Sequence, residues 1–304
     1  MSVLSDLQSL MARTGYTQKR VAAQTKVSDS VISQYLKGTY PGNIEKVESA
    51  IRNFISREEE KERKRTVRAE FVRTRLANKC LARMRDVHLD GDIGVLSGSA
   101  GAGKSMVMKH YASLFNDVIL IEADPGYTTK VLLQELCERL GVNKSGNIHE
   151  LSENCINALR GTGWVVLIDE AELLPYRALE ALRRIHDRSG SGVVLAGMPR
   201  LLLNLKGRRG EYAQLYSRVG IAIDLDAEQK KTEHEDFNSI ITSLLPEDVD
   251  YSQIPGLFDA FRKQSKGNYR RLFKLARGVV RASGIGDQGI SPALVEEYSG
   301  MLIH

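Results

Sequence analysis

The chain has 304 residues, 42% of them hydrophobic, which is enough for two or three domains with a sizeable core. A formal net charge of +5 hints at a polyanionic partner, while only 6% aromatic residues argue against dense base-stacking platforms. No apolar run approaches the roughly 18 residues of a membrane span, and the N-terminus lacks a signal-peptide core. These features predict a cytoplasmic protein with no membrane partner.

Residues 17–38 have the pattern of two short helices joined by a tight turn. Thr17 is placed to cap the first helix, and Ser28 is placed to cap a second. The apolar residues of the second helix fall on one face, and Gly38 ends it. The arrangement, TQ…VA…VS…IS.YLKG, resembles the helix-turn-helix domains of phage repressors.

By that resemblance, the second helix would enter the major groove of DNA. The side chains presented to DNA would be Ser28, Asp29, Ser30, Ser33, Gln34 and Lys37. The turn departs from the family pattern, because Lys26 stands where a left-handed backbone usually selects glycine, at a cost of about 1 kcal/mol. The alternative is a small helical dimerisation or adaptor domain.

Basic residues are concentrated in the next segment, between Arg57 and Arg85, and most of its acidic residues lie at its start. A stretch of this kind is typical of nucleic-acid binders. It is equally compatible with a solvated linker helix that is held by salt bridges, and the composition leaves both interpretations open.

A phosphate-binding loop is the most specific motif in the chain. An apolar run at 92–97 predicts a buried strand, a helix is predicted after the loop, and GSAGAGKS lies between them. Glycines let N–H groups surround phosphates without Cβ clashes; Lys104 would bind the β and γ phosphates, and Ser105 would bind Mg²⁺. The motif predicts ATP and Mg²⁺ as cofactors. The predicted nucleotide contacts are Gly98, Ser99, Ala100, Gly101, Ala102, Gly103, Lys104, Ser105 and Met106.

Four further apolar runs predict strands that alternate with helices, at 117–122, 164–170, 192–197 and 220–225. Such alternation predicts an α/β fold with a doubly wound parallel sheet and right-handed crossovers. One run ends in Asp169-Glu170, which a parallel strand would deliver to the carboxyl edge of the sheet. Asp169 would hold Mg²⁺, and Glu170 would be the base that orients the attacking water.

Over about residues 89–300 the chain resembles the AAA+ ATPases. The shared features are the phosphate loop, the Asp-Glu strand, an arginine before the fifth strand and a helical end with a GxxR motif. The resemblance implies a nucleotide-binding core at 89–228 and a helical lid at 229–304. These would follow the helix-turn-helix domain at 1–55 and a basic linker at 56–88.

Two arginines acquire roles from the AAA+ resemblance alone. Arg218 would be the arginine finger that reaches the γ-phosphate of a neighbouring subunit, and Arg270 would be the lid arginine that senses nucleotide, although Arg271 competes for that role. At the end of the fourth strand the family prefers Asn, Thr or Ser, whereas this chain has Met198. Methionine cannot orient a water, which predicts slow hydrolysis unless a nearby group takes over.

The order of domains narrows the resemblance to the phage ATPases that activate DNA transposition. The motifs that carry it are VSDSVISQYLKGTYPGN, GSAGAGKS, VVLIDEAELL, GVVLAGMPRL and QLYSRV. That family implies an ATP-dependent filament of many copies on duplex DNA, largely without sequence preference. The filament would recruit and stimulate a transposase, which in turn would trigger ATP hydrolysis and disassembly.

Sequence-tolerant DNA binding needs cations that face the phosphate backbone. Candidates outside the helix-turn-helix are Thr128, Thr129, Lys130, Lys206, Arg208 and Arg209. Two other functions stay open at this point. One is a transcriptional regulator whose helix-turn-helix reads an operator and whose ATPase module senses nucleotide. The other is an AAA+ helicase loader.

Overall fold

The computed structural model describes residues 3–66, 70–206, 216–246, 249–283 and 289–302, without the side chains at 59–66, 206 and 233. The chain divides into two compact units, Met1–Arg68 and Ala69–His304. No helix in the described ranges combines the length and apolar character needed to cross a membrane.

The N-terminal unit is a bundle of four helices around a small apolar core. The helices are α1 (Val3–Thr14), α2 (Gln18–Thr25), α3 (Asp29–Leu36) and α4 (Ile44–Thr66). Each contributes fully buried apolar side chains, among them Leu7, Val21, Ile32 and Ile51. Burial of one helix face in this way compensates for helices too short to be stable alone.

The turn between α2 and α3 has the predicted left-handed residue. Lys26 has φ 58° and ψ 31°, and the Thr17 hydroxyl accepts a hydrogen bond from the Arg20 N–H, as expected of an N-cap. The capping role predicted for Ser28 is wrong in its detail. Ser28 occupies the N-cap position, but its hydroxyl pairs with the Ser30 hydroxyl at 3.1 Å and accepts no backbone N–H.

The helix α5 (Arg75–Asp90) is the first helix in the described part of the second unit. One face is buried, while basic residues on the other face are paired with carboxylates of the same unit. The pairs are Arg75–Glu235 at 2.6 Å, Lys79–Glu228 at 2.6 Å and Arg83–Asp86 at 2.7 Å. For these three cations the structure therefore favours the salt-bridged interpretation of the basic segment.

A five-stranded parallel sheet forms the centre of the second unit, in the order β2-β3-β4-β1-β5. The strands are β1 (Ile93–Ser97), β2 (Val118–Glu122), β3 (Val165–Asp169), β4 (Gly192–Gly197) and β5 (Val219–Asp224). The predicted α/β class and parallel sheet are confirmed. Because β1 and β3 lie beside β4, the loops that follow these three strands meet at one carboxyl edge.

Helices cover both faces of the sheet. Side chains of β3 alternate, with Val166 and Ile168 in one apolar core and Val165 and Leu167 in the other. The second core contains α5 and α6 (Lys104–Leu114). The first contains α7 (Thr129–Arg139), α8 (Ile148–Leu159), α9 (Tyr176–Ser189) and α10 (Arg200–Lys206). Strands buried on both faces explain the continuous apolar runs in the sequence.

A helical lid follows the last strand. Its helices are α11 (Leu225–Leu244), α12 (Leu257–Ser265), α13 (Tyr269–Ser283) and α14 (Pro292–Gly300). The buried carboxylate of Asp236 on α11 accepts the N–H groups of Arg75 and Leu76 at 2.8 and 3.1 Å. An anion at the N-terminus of a helix is stabilising, so this contact anchors α11 to the start of α5.

Candidate nucleotide-binding site

The phosphate loop leaves the sheet between two central strands. The N–H of Gly98 donates to the carbonyl of Gly197 at 3.1 Å, which places the start of the loop beside the end of β4. Gly101 and Gly103 have φ values of 85° and 94°, in the left-handed region where side chains are rarely accommodated. The helix α6 begins immediately afterwards at Lys104, so the loop and the helix N-terminus form one cradle for phosphate.

Lys104 is buried, with 7% of its surface exposed, and points back along the loop. Its ammonium group donates to the carbonyls of Gly98 and Ser99 at 2.6 and 3.0 Å. Burial lowers its pKa, and nearby carboxylates, of which Glu172 has the largest effect, oppose that shift. A cation held at the mouth of a helix N-terminus fits the binding of phosphate anions.

Asp169 ends β3 and is 2% exposed. Its Oδ1 accepts the N–H of Glu170 at 3.0 Å, while its buried Oδ2 accepts no hydrogen bond from the described residues. A buried carboxylate oxygen without a donor is suited to a cation or to its bound water. Ser105 lies half-buried in the first turn of α6, so the two residues predicted to hold Mg²⁺ fit that ion chemically.

Glu170 occupies a strained backbone position directly after β3, with φ 53° and ψ 33°. Burial raises the pKa of its carboxyl group, and the charges of Glu172 and Asp169 raise it further. Lys104 and Arg270 act in the opposite direction. A carboxylate with a raised proton affinity is a stronger base, which suits the predicted activation of water.

A cavity of about 340 Å³ connects the loop to the lid. Its polar end is formed by the loop, Glu170 and Arg270, and Met198 also lines it. Its apolar part includes Phe71 before α5 and Phe273 on α13. A cleft with one cationic, donor-rich end and one apolar end matches a ligand that joins phosphates to a flat base.

The sequence did not predict a role for Glu172, which lies in the short 3₁₀ turn Ala171–Leu173 after β3. Its side chain is completely buried, and neither carboxylate oxygen accepts a hydrogen bond within the described part of the chain. The nearest cation in an ion pair is Arg200, at 3.8 Å. A Cβ at Gly197 would lie 2.4 Å from Glu172 Oε2, so this carboxylate stands directly against the end of β4.

The lid brings only one of its two candidate arginines to the cavity. Arg271 donates to the Gln264 carbonyl at 2.8 Å and to the Ser299 hydroxyl at 3.2 Å, so it joins parts of the lid to each other. Arg270 is exposed and lines the cavity, where its charge acts on Glu170.

Two further contacts to the loop come from distant parts of the sequence. Asp226, at the start of α11, accepts the Ser99 N–H at 2.9 Å and the Ser99 hydroxyl at 2.8 Å. Asn268, before α13, donates to the Ala100 carbonyl at 2.7 Å. Neither residue was predicted, although Asn268 lies within the GxxR motif that drew attention to Arg270.

Arg218 lies at the amino ends of the strands, whereas the loop lies at their carboxyl ends. It precedes Val219, which pairs in register with Ile93 at the beginning of β1, whereas the loop follows Ser97 at its end. The length of β1 separates them by about 13 Å along the strand. The side chain is 55% exposed and its Nε lies 3.3 Å from Asp187 on α9. Arg218 is therefore not part of the nucleotide site of its own chain.

The predicted DNA contacts are dispersed. On α3 and at its two caps, Ser33 is half-buried and the other five residues are exposed. Thr128 caps α7 by accepting the Val131 N–H at 3.3 Å, Thr129 is buried and Lys130 is exposed. The Lys206 side chain, Arg208 and Arg209 lie outside the described residues.

Comparisons with known proteins place this chain among related sequences and structures. The profile of a family described as the AAA domain matches residues 85–205. The chain is 27% identical over 224 residues to the Mu-like prophage FluMu DNA transposition protein B of Haemophilus influenzae, covering 72% of this chain and 78% of that protein. It is 29% identical over 225 residues to the ATP-dependent target DNA activator B of Escherichia phage Mu, covering 71% and 70%. The ORC2 structure from Aeropyrum pernix shares the fold, with a TM-score of 0.58 at 16% identity, covering 79% of this chain and 72% of that chain.

Proposed function

We propose that this chain, an AAA-domain P-loop ATPase homologous to the B protein of phage Mu, binds duplex DNA in an ATP-dependent manner and delivers it as a target to a transposase. The observation that carries the proposal is similarity, over about 70% of this chain, to a protein named as an ATP-dependent target DNA activator. The geometry of the nucleotide site and the exposed polar side chains of α3 support this proposal.

In the ATPase step, the loop N–H groups and Lys104 would hold the phosphates, and Ser105 with Asp169 would hold Mg²⁺. Bound Mg²⁺ would neutralise charge on the phosphate oxygens. Glu170 would orient a water toward the γ-phosphate and accept its proton. The raised pKa of Glu170 supports this assignment, because the group is within a cavity that also contains the loop.

Assembly would be coupled to ATP by Arg218. Because this arginine lies about 13 Å along the strand from its own loop, it would act on the γ-phosphate of another copy. Bound ATP would therefore join adjacent subunits, and a row of such contacts along DNA would give a filament. Hydrolysis would remove the γ-phosphate and with it the contact.

Turnover would be slow without a partner. Met198, at the end of β4, presents a thioether to the cavity and offers no strong hydrogen-bonding group for a water. A slow ATPase suits a switch that stays assembled until the transposase triggers hydrolysis. DNA binding would be largely independent of sequence, through exposed polar and basic side chains that include Gln34, Lys37 and Lys130.

Negative-stain microscopy with long duplex DNA tests assembly. Filaments should form with ATP and be absent with ADP, and Arg218→Ala should lose them. Arg139→Ala is the matched control, because Arg139 is another exposed arginine paired with a carboxylate of its own chain, Glu135, at 3.2 Å. Equal filaments with ADP, or in Arg218→Ala, would remove the trans-acting arginine from the mechanism.

The role in transposition needs a separate measurement. Strand transfer into target DNA by a partner transposase should increase when the protein and ATP are added, and ATP turnover should rise in the same mixture. Binding to one discrete operator, with no effect on any transposase, would instead support a helix-turn-helix regulator.

A further inference from the structure

The lid holds the phosphate loop through two consecutive carbonyl groups. Asn268 Nδ2 donates to the Ala100 carbonyl at 2.7 Å, and the Tyr269 N–H donates to the Gly101 carbonyl at 3.1 Å. In a trans peptide the C=O and the following N–H point in opposite directions. Fixing these carbonyls toward the lid therefore directs the N–H groups of Gly101 and Ala102 away from it.

Asn268 is itself rigidly held. Its Oδ1 accepts the Arg271 N–H at 3.0 Å, which caps the helix α13. The preceding carbonyl, of Gly267, accepts the Gln229 Nε2–H at 2.6 Å. The side-chain amide of Asn268 thus contacts two elements: its oxygen accepts a hydrogen bond from α13, and its nitrogen donates one to the loop.

The contact is close enough to constrain the loop sequence. A Cβ at Gly101 would lie 2.3 Å from Asn268 Oδ1, so the approach of the lid requires glycine there, in addition to the requirement from φ 85°. Arg270 follows two residues after Asn268 and lines the same cavity. The contacts that hold Asn268 against the loop therefore also determine where the guanidinium of Arg270 enters the cavity.

We propose that Asn268 is a positioning residue, which holds the phosphate loop in its nucleotide-binding shape and ties the placement of Arg270 to that shape. The amide is a direct link between the loop and the lid, formed by residues 168 positions apart. This role depends on nucleotide binding at residues 98–105 alone and is independent of transposition and of filament assembly.

Asn268→Asp separates the two functions of the amide. A carboxylate still caps α13 by accepting the Arg271 N–H, but it cannot donate to the Ala100 carbonyl and places a second acceptor against it. We expect the dissociation constants of fluorescent ATP and ADP analogues to rise about tenfold, while thermal unfolding of the nucleotide-free protein is nearly unchanged. Asn143→Asp is the matched control, since Asn143 Oδ1 likewise caps a turn, at Ser145, outside the cavity.

A double-mutant cycle tests the link to Arg270. If Asn268 places Arg270, the loss of ATP affinity in the Asn268→Asp, Arg270→Ala double variant should be smaller than the product of the single losses. Asn268→Ser, which keeps a capping hydroxyl but is too short to reach the Ala100 carbonyl, repeats the test if the aspartate variant folds poorly. Nucleotide affinity within twofold of the parent in the folded variant, or losses that multiply independently, would overturn the proposal.

Discussion

In the N-terminal unit, the polar side chains predicted to meet DNA are mostly exposed on α3 and at its two ends, and a separate cluster of buried apolar side chains holds the unit together. In the nucleotide-binding unit, two of the charged side chains predicted to meet ATP and Mg²⁺ are buried, Lys104 at 7% and Asp169 at 2% exposure, and Ser105 and Glu170 are half-buried. In the first unit, the predicted DNA recognition and the stability of the fold depend on different residues. In the second unit, some of the charged side chains that would bind nucleotide are buried, where burial lowers stability.

The difference follows from what each surface would bind. A DNA backbone is a wide, hydrated polyanion that exposed side chains can contact without desolvation. Phosphoryl transfer needs charges preorganised out of water, where electrostatic interactions are stronger. Buried charges lower stability unless they are paired, and buried Glu172 accepts no hydrogen bond from the described residues, with its nearest ion-pair cation, Arg200, at 3.8 Å.

Replacing the base should give the largest effect. Glu170→Gln keeps the size of the side chain but removes proton acceptance, so we expect ATP turnover to fall about 1,000-fold while ATP binding persists. Quenched single-turnover assays with labelled ATP measure the rate of hydrolysis. Glu122→Gln is the control, because Glu122 ends β2 at the same edge of the sheet and pairs in register with Asp169. Rapid hydrolysis by the Glu170 variant would remove it from the mechanism.

Removing the buried cation should act on binding. Lys104→Ala deletes the only charge that the loop itself contributes, and we expect the affinity for ATP to fall about 100-fold. Lys109→Ala, on the exposed side of the same helix and paired with Glu122 at 3.4 Å, should bind ATP normally. Isothermal titration with a non-hydrolysable ATP analogue distinguishes them, and similar affinities in the two variants would contradict the burial argument.

In the N-terminal unit, stability and DNA binding should respond to substitutions at different residues. Ile32→Ala, in its core, should lower the free energy of unfolding by about 3 kcal/mol, whereas exposed Gln34→Ala should leave it unchanged and weaken DNA binding. Urea denaturation and fluorescence anisotropy with duplex DNA measure the two quantities. The logarithm of the DNA-binding constant should also fall steeply and linearly with the logarithm of the salt concentration, and a flat slope would argue against phosphate contacts.

The smallest effect concerns pH. Because the pKa of Glu170 is raised, this base becomes protonated as the pH falls before an ordinary glutamate would. ATP turnover should therefore begin to decline above the usual titration range of glutamate, while DNA binding by the N-terminal unit stays constant there. A turnover profile whose acid limb lies at or below that range would contradict the raised pKa.

Local patterns predicted much of the fold. The strand Gly192–Gly197 has the predicted bounds, because it depends on a continuous apolar run and on glycines within or beside that run. The loop at 98–105 was predictable for the same reason, since strand, glycines and helix are contiguous. The capping detail at Ser28 was not, because Ser30 offered its hydroxyl a competing partner.

What the sequence determined by itself was therefore the nature of the groups: a phosphate loop, an acidic strand end and exposed polar residues on a short helix. The tertiary structure decided which of them meet. It placed Arg270 at the cavity and tied Arg271 into the lid, buried Glu172 against β4, and brought Asn268 to the loop. These outcomes depend on packing between segments up to 168 residues apart, where no local periodicity carries the information.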